Sequence, residues 1–202
     1  MRSVIATVAV AIVLIILVGA VFIYSGAYYV GADQPHWSTT SWLLDQARIR
    51  SIRFHASGIA LPADLGTERK IVTGVGHFAD HCVICHGAPG VPQGDLAQGL
   101  YPRPPSLRTA AGFYMPAELF WIIMHGIKMS GMPAWTDHGD DELWAIVAFL
   151  EALPEMSEQD YAKLVAASRA QGGHQHESQQ PLPGLAPEPA EKDHDHPAGH
   201  RH

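Results

Sequence analysis

Two thiols and an imidazole sit together in Cys82-Val-Ile-Cys85-His86. Thiols at this spacing reach the two vinyl-derived carbons on one side of a porphyrin and can bond to them as thioethers. The next residue's imidazole then lies beneath the iron as proximal ligand, so the pattern is the attachment signature of haem c. Two other chemistries use a Cys-x-x-Cys pair. A thioredoxin-like redox dithiol wants a βαβ setting and no histidine directly after it, and no βαβ pattern appears. A zinc site needs two further ligands, which His77 and His81 offer. The chain has 2 cysteines in all, so a disulfide scaffold is excluded.

A haem that transfers electrons usually has a sixth ligand. Met132, in Lys128-Met-Ser-Gly-Met-Pro-Ala-Trp135, is the best candidate. Pro133 drives Met132 towards an extended backbone and Gly131 frees the chain before it, so the thioether can project from a loop. A His/Met pair raises the reduction potential relative to His/His, because the soft thioether favours ferrous iron. Met129 and His125 are the rivals; Met115 and Met124 read as core fillers.

The elements that must position these groups are helical. Residues 4–23 form an uncharged apolar run of twenty, which as a helix spans about 30 Å, the hydrocarbon thickness of a bilayer. Tyr24, Tyr28, Tyr29 and Trp37 follow where aromatic rings favour the headgroup region. The run exceeds the roughly 7–15 residues of a signal-peptide core, so an uncleaved anchor over 4–24 is expected over cleavage after Ala20 or Ala27. Residues 25–66 read as a juxtamembrane segment. Its helix over 38–54 is capped by Ser or Thr at 38–41 and made basic by Arg48, Arg50 and Arg53. It suits either a membrane surface or packing on the next domain. Residues 67–165 read as a small all-α domain. Its first helix, over about 67–82 with Thr67 as cap, puts Ile71, Val75, Phe78 and Cys82 on one face. A second runs from Pro116 to Gly126, and a third starts at Asp140-Asp-Glu142, buries Leu143, Ile146, Val147 and Leu150, and stops before Pro154. Beyond about residue 170 large apolar side chains nearly vanish, and 170–202 is expected to be a disordered His-rich tail.

From Gly74 to Leu153 the chain resembles the class I c-type cytochromes. Gly74, Phe78 and Cys82 fall at the positions of that family's Gly-x-x-x-aromatic-x-x-x-Cys helix, and Phe149 matches the aromatic of its last helix. Pro105-Ser-Leu107 resembles the family's Pro-x-Leu element, and Met132-Pro-Ala-Trp135 its distal loop. More narrowly, the chain is similar to membrane-anchored monohaem cytochromes of bacterial respiratory chains, including the cytochrome c subunits of haem–copper oxidases. The resemblance implies an all-α domain around one covalent haem c on Cys82 and Cys85, with His86 and Met132 on the iron. The carbonyl of Pro105 would orient His86 and raise its basicity. It also implies a single-pass protein of the bacterial inner membrane with its haem domain in the periplasm. That outweighs the weak contrary count of positive charges around the span, where Arg48, Arg50 and Arg53 follow and Arg2 alone precedes.

Charge limits the partners. The chain carries 13 basic and 20 acidic residues, net −7, with no basic cluster, which argues against nucleic acid. Residues 64–165 alone hold thirteen acidic and six basic side chains, so an acidic partner would be repelled unless Lys128, Arg103 and Arg108 gather at an exposed haem edge. Tyr101 and Trp121 read as core aromatics, Trp135 as part of the ligand loop, and His77 and His81 as surface residues. Six of the 13 histidines lie in the tail, at His174, His176, His194, His196, His200 and His202. As an adaptable Cu(II), Ni(II) or Zn(II) ligand set, they imply no fixed geometry. The expected function is one-electron transfer between redox proteins at a membrane, not catalysis on a substrate. A subunit of a larger dehydrogenase or oxidase, and a haem sensor or metal-handling protein, are the alternatives.

Overall fold

The computed structural model describes residues 1–172; the His-rich tail lies outside them. Among the described residues there are nine α-helices and no strand, so the fold is all-α as expected. They are α1 (Arg2–Tyr24), α2 (Ser38–Ala56), α3 (Glu68–His77), α4 (Val83–His86), α5 (Asp95–Gln98), α6 (Leu107–Ala110), α7 (Pro116–His125), α8 (Asp140–Ala152) and α9 (Glu158–Ala170).

α1 is the one described helix long and apolar enough to cross a membrane, with a mean hydropathy of 3.2 and none of that stretch buried. At its end Phe22, Tyr28 and Trp37 form an aromatic cluster, with ring centroids 5.1 Å apart and edge-to-face for Tyr28 and Trp37 and 5.9 Å apart and tilted for Phe22 and Trp37. α2 begins at Ser38 behind Trp37, and no side chain caps it. Its choice between membrane and domain is visible in burial: Ile52 and Ala56 are buried, the helix packs on α7, and Arg53 Nε stands 3.7 Å from Glu118 Oε1.

The core lies where α3 crosses α8. Val75, Phe78, Leu143, Val147 and Phe149 are almost fully buried, and the rings of Phe78 and Phe149 meet at 4.8 Å. Every residue from Leu143 to Leu150 is buried, because α3 and α7 cover α8 from different sides. A helix apolar all round must be enclosed. Gly74 makes the crossing possible, since a Cβ there would fall on the backbone carbonyl of Ala145.

The first domain helix is not one regular rod. After α3 the backbone widens into a π turn over Phe78–Cys82, where the amide of Val83 donates to the carbonyl of Phe78, and α4 carries on to His86. The helix α9 has no counterpart in the sequence reading. Ser157 caps it: the amide of Asp160 donates to Ser157 Oγ at 3.1 Å, and the hydroxyl donates back to Asp160 Oδ2 at 2.6 Å. Its Tyr161 reaches Phe149 at 6.2 Å.

One buried cation ties α3 to α8. The Lys70 side chain is 3% exposed, with Nζ 2.5 Å from Asp141 Oδ1 and 3.6 Å from Asp64 Oδ2. Hydrogen bonding and charge from Lys70 hold the Asp141 carboxyl below its ordinary value. A group with a depressed folded pKa contributes stability that is fully present above the ordinary carboxyl value of about 3.9, and that is lost as pH falls through the lowered folded value. Asp141→Asn leaves Lys70 with Asp64 alone. It is expected to cost about 1 kcal/mol at neutral pH, below the ~3–5 kcal/mol of a fully buried pair because the carboxylate is solvated. The difference in melting temperature from the wild type should shrink between pH 7 and pH 3, which thermal unfolding at several pH values measures.

Candidate functional site

The π turn and α4 place the Cys-x-x-Cys-His residues on consecutive helical turns. Cys82 and Cys85 are both free thiols, and both are partly buried. Burial, with a smaller contribution from neighbouring Cys85, pushes the Cys82 thiol up to about 12. His86 Nδ1 lies 2.8 Å from the carbonyl oxygen of Pro105. A carbonyl only accepts, so Nδ1 carries the proton and Nε2 keeps its lone pair. Burial lowers the His86 pKa more than this bond raises it, which favours the neutral imidazole a metal requires. Pro105 is held in place from the other side: Gln93 Nε2 donates to the carbonyl of Pro104 at 2.8 Å.

The Met132 loop is built from backbone bonds. Ser130 Oγ donates to the Ile127 carbonyl at 2.7 Å and accepts from the Met132 amide at 3.2 Å. The Trp135 amide donates to the Met124 carbonyl at 3.1 Å, so the loop is sewn to the last turn of α7. Gly126 ends that helix at φ +63°, and a Cβ there would meet the carbonyl of Met132 and the backbone of Pro133 at 2.6–2.7 Å. Met132 and Trp135 both pack partly buried against the core that also contacts Cys82.

The rivals of Met132 lie elsewhere. Met129 is 73% exposed and adopts φ 56°. Together with His125 it lines a cavity of about 620 Å³ between α2, α7 and the segment after α7. Met124 packs on the core, but Met115 does not: it is exposed, and its amide donates to Glu118 Oε2 at 2.9 Å at the start of α7. Tyr101 and Trp121 line the same cavity rather than the core. Tyr101 accepts from the His36 amide at 2.9 Å, and Trp121 stacks on His55 at 5.7 Å. Lys128 borders this cavity, whereas Arg108 borders a groove of about 310 Å³ beside His86 and donates to the Pro154 carbonyl at 3.3 Å. His77 is no surface residue; it is 3% exposed, and the ring of His138, from the loop that precedes α8, lies 5.7 Å from it.

The donor set fits a covalently bound haem. Two reduced thiols, one a turn before it and one directly before it, precede an imidazole whose outer nitrogen is fixed by a carbonyl, and a thioether rides on a loop tied to the same core. Fold and site together define a c-type cytochrome domain. Residues 69–150 match the family model described as cytochrome C oxidase, cbb3-type, subunit III. The match runs from α3 to α8 and leaves out α1, α2 and α9. No curated protein matches the chain. A c-type cytochrome domain carries haem c and transfers electrons, and here it stands behind an apolar N-terminal helix.

Proposed function

We propose that the chain is a membrane-tethered carrier of single electrons with one haem c, its domain over 67–165 facing the periplasm of a bacterial inner membrane. In this reading Cys82 and Cys85 are the thioether positions, His86 and Met132 are the iron ligands, and Pro105 orients His86. Residues 4–24 anchor the chain, 25–66 connect anchor and domain, and the donor and acceptor are redox proteins of a respiratory chain. The observation that carries the reading is the 2.8 Å contact between His86 Nδ1 and the Pro105 carbonyl, directly after the Cys-x-x-Cys pair of free thiols. Bound haem supplies reversible one-electron chemistry at iron. The chain's own work is to fix the imidazole's tautomer, hold the thioether loop on α7, and exclude water with the Phe78–Phe149 core.

The test is covalent attachment and location in one preparation. Membranes from cells able to mature c-type cytochromes should show haem staining at the chain's mass on a denaturing gel. The pyridine haemochrome should give one haem per chain, and staining should be lost in Cys82→Ser/Cys85→Ser. Protease added to intact spheroplasts should remove the stained domain. Staining in the soluble fraction, or protection from protease, sinks the topology.

A second reading, as the electron-entry subunit of an oxidase, is favoured by the family description, which names a subunit. A terminal oxidase that co-purifies in mild detergent at fixed stoichiometry would select it over a free carrier.

A further inference from the structure

A second set of metal-ligating side chains lies outside the Cys-x-x-Cys-His site. The ligand nitrogens of His77, His81 and His138 all lie within 4.8 Å of one another. His77 and His81 are spaced i, i+4, which puts two imidazoles on one helix face. The π turn between α3 and α4 begins just after His77 and contains His81, and such turns recur at functional sites. His138 arrives from the loop before α8; its ring centroid is 5.7 Å from that of His77 and 5.7 Å from that of His81. Trp135 closes one side, 5.1 Å from His81 and 5.3 Å from His138. His77 is buried while the other two rings are half-buried, so an ion has a way in.

From this geometry we propose that His77, His81 and His138 form a binding site for a divalent borderline ion of the Zn(II) class, with a fourth position open. Three imidazole nitrogens are a usual protein contribution to such a centre. Zn–N bonds of about 2.0–2.1 Å place tetrahedral ligands about 3.3 Å apart. The present separations, all within 4.8 Å, exceed that value by at most about 1.5 Å. The bound ion joins two parts of the chain. His77 and His81 belong to the helix that runs into Cys82, and His138 comes directly after the Met132–Trp135 loop. The ion therefore staples the Met132 loop to that helix. The inference is independent of what Cys82 and Cys85 hold.

The experiment uses the full-length holoprotein, stripped with chelator and loaded with Zn2+, beside His81→Ala/His138→Ala. Both proteins carry the same histidine-rich tail, so its contribution cancels in the comparison. After gel filtration against a weak chelator, the wild type is expected to retain one equivalent of zinc more than the variant. Saturating Zn2+ is also expected to raise its melting temperature by several degrees more, because an ion that binds only the folded state stabilises it. An unchanged haem absorption spectrum shows that the variant is folded. If it is not, His138→Ala alone, a half-buried loop position, carries the same comparison. Equal zinc retention, or equal melting shifts, in wild type and folded variant overturns the proposal and leaves the three rings as packing around Trp135.

Discussion

Met132→Ala is expected to remove the weak near-infrared ferric band of methionine–iron ligation and to lower the midpoint potential by on the order of 100 mV or more. Axial ligands move haem potentials over a range of about 0.8 V, and the thioether is the ligand that favours ferrous iron. The effect should be confined to the iron, because the loop does not depend on the side chain being removed. Its backbone is held by Ser130 and by the Trp135 amide on α7, so the thermal stability should change little beyond the lost packing. The ferrous variant should take up carbon monoxide at the vacated position. Met129→Ala serves as the contrast. Met129 is exposed at a left-handed backbone position and lines the cavity beside α2, and its loss should leave band and potential where they were. If the band instead survives Met132→Ala and disappears with Met129→Ala, the assignment of the loop is reversed. Redox titration followed at the Soret and near-infrared wavelengths reads all three outcomes.

The attachment motif is legible in the sequence because local chemistry writes it: Cys82-x-x-Cys85-His86 states its spacing outright. The crossing marked by Gly74, Phe78 and Phe149 is legible through the family resemblance, and so is the Pro105 carbonyl, since nothing in a proline's identity shows that its oxygen faces a histidine. The surface reading of His77 fails because what lies against this ring, His138, comes from a loop some sixty residues further along the chain. A π turn shifts the angular position of every residue beyond it, and no residue pattern in Phe78–Cys82 announces one. The approach of His138 to His77 and His81 is a tertiary fact, made by the path of the loop before α8, and i, i+4 spacing supplies only two of the three rings. The core reading of Met115 fails because an apolar side chain at a helix start is as readily a surface residue as a core one. By contrast, α9 is within reach of the sequence. Ser157-Glu-Gln-Asp160 is a capping signal, and Tyr161, Leu164 and Val165 come after it at helical spacing.

Gly74→Val should produce the largest loss of stability of any single change in this domain. A glycine inside a helix ordinarily costs about 0.5–1 kcal/mol relative to alanine, so replacing one is stabilising wherever there is room. At Gly74 there is none, because the new Cβ would coincide with the Ala145 carbonyl of α8. The obstacle is backbone on both sides, with no flexible side-chain end to swing away, so α3 and α8 must separate. That separation opens the contact between Phe78 and Phe149 and lengthens the pairing of Lys70 with Asp141. A loss of about 3 kcal/mol or more is expected, at the upper end for overpacked cores. In a domain of this size that lowers the melting temperature by upwards of about 10 °C. Even Gly74→Ala should destabilise, reversing the sign that helix propensity predicts. The control is Gly112, on the short 3₁₀ turn after α6, where nothing lies within 4 Å of an added Cβ and the backbone is not left-handed. Gly112→Ala should be neutral or slightly stabilising. Thermal unfolding of the three variants decides whether the crossing of α3 and α8 is the contact on which the domain rests, since equal melting temperatures for Gly74→Val and the wild type would mean that the helices can part at no cost.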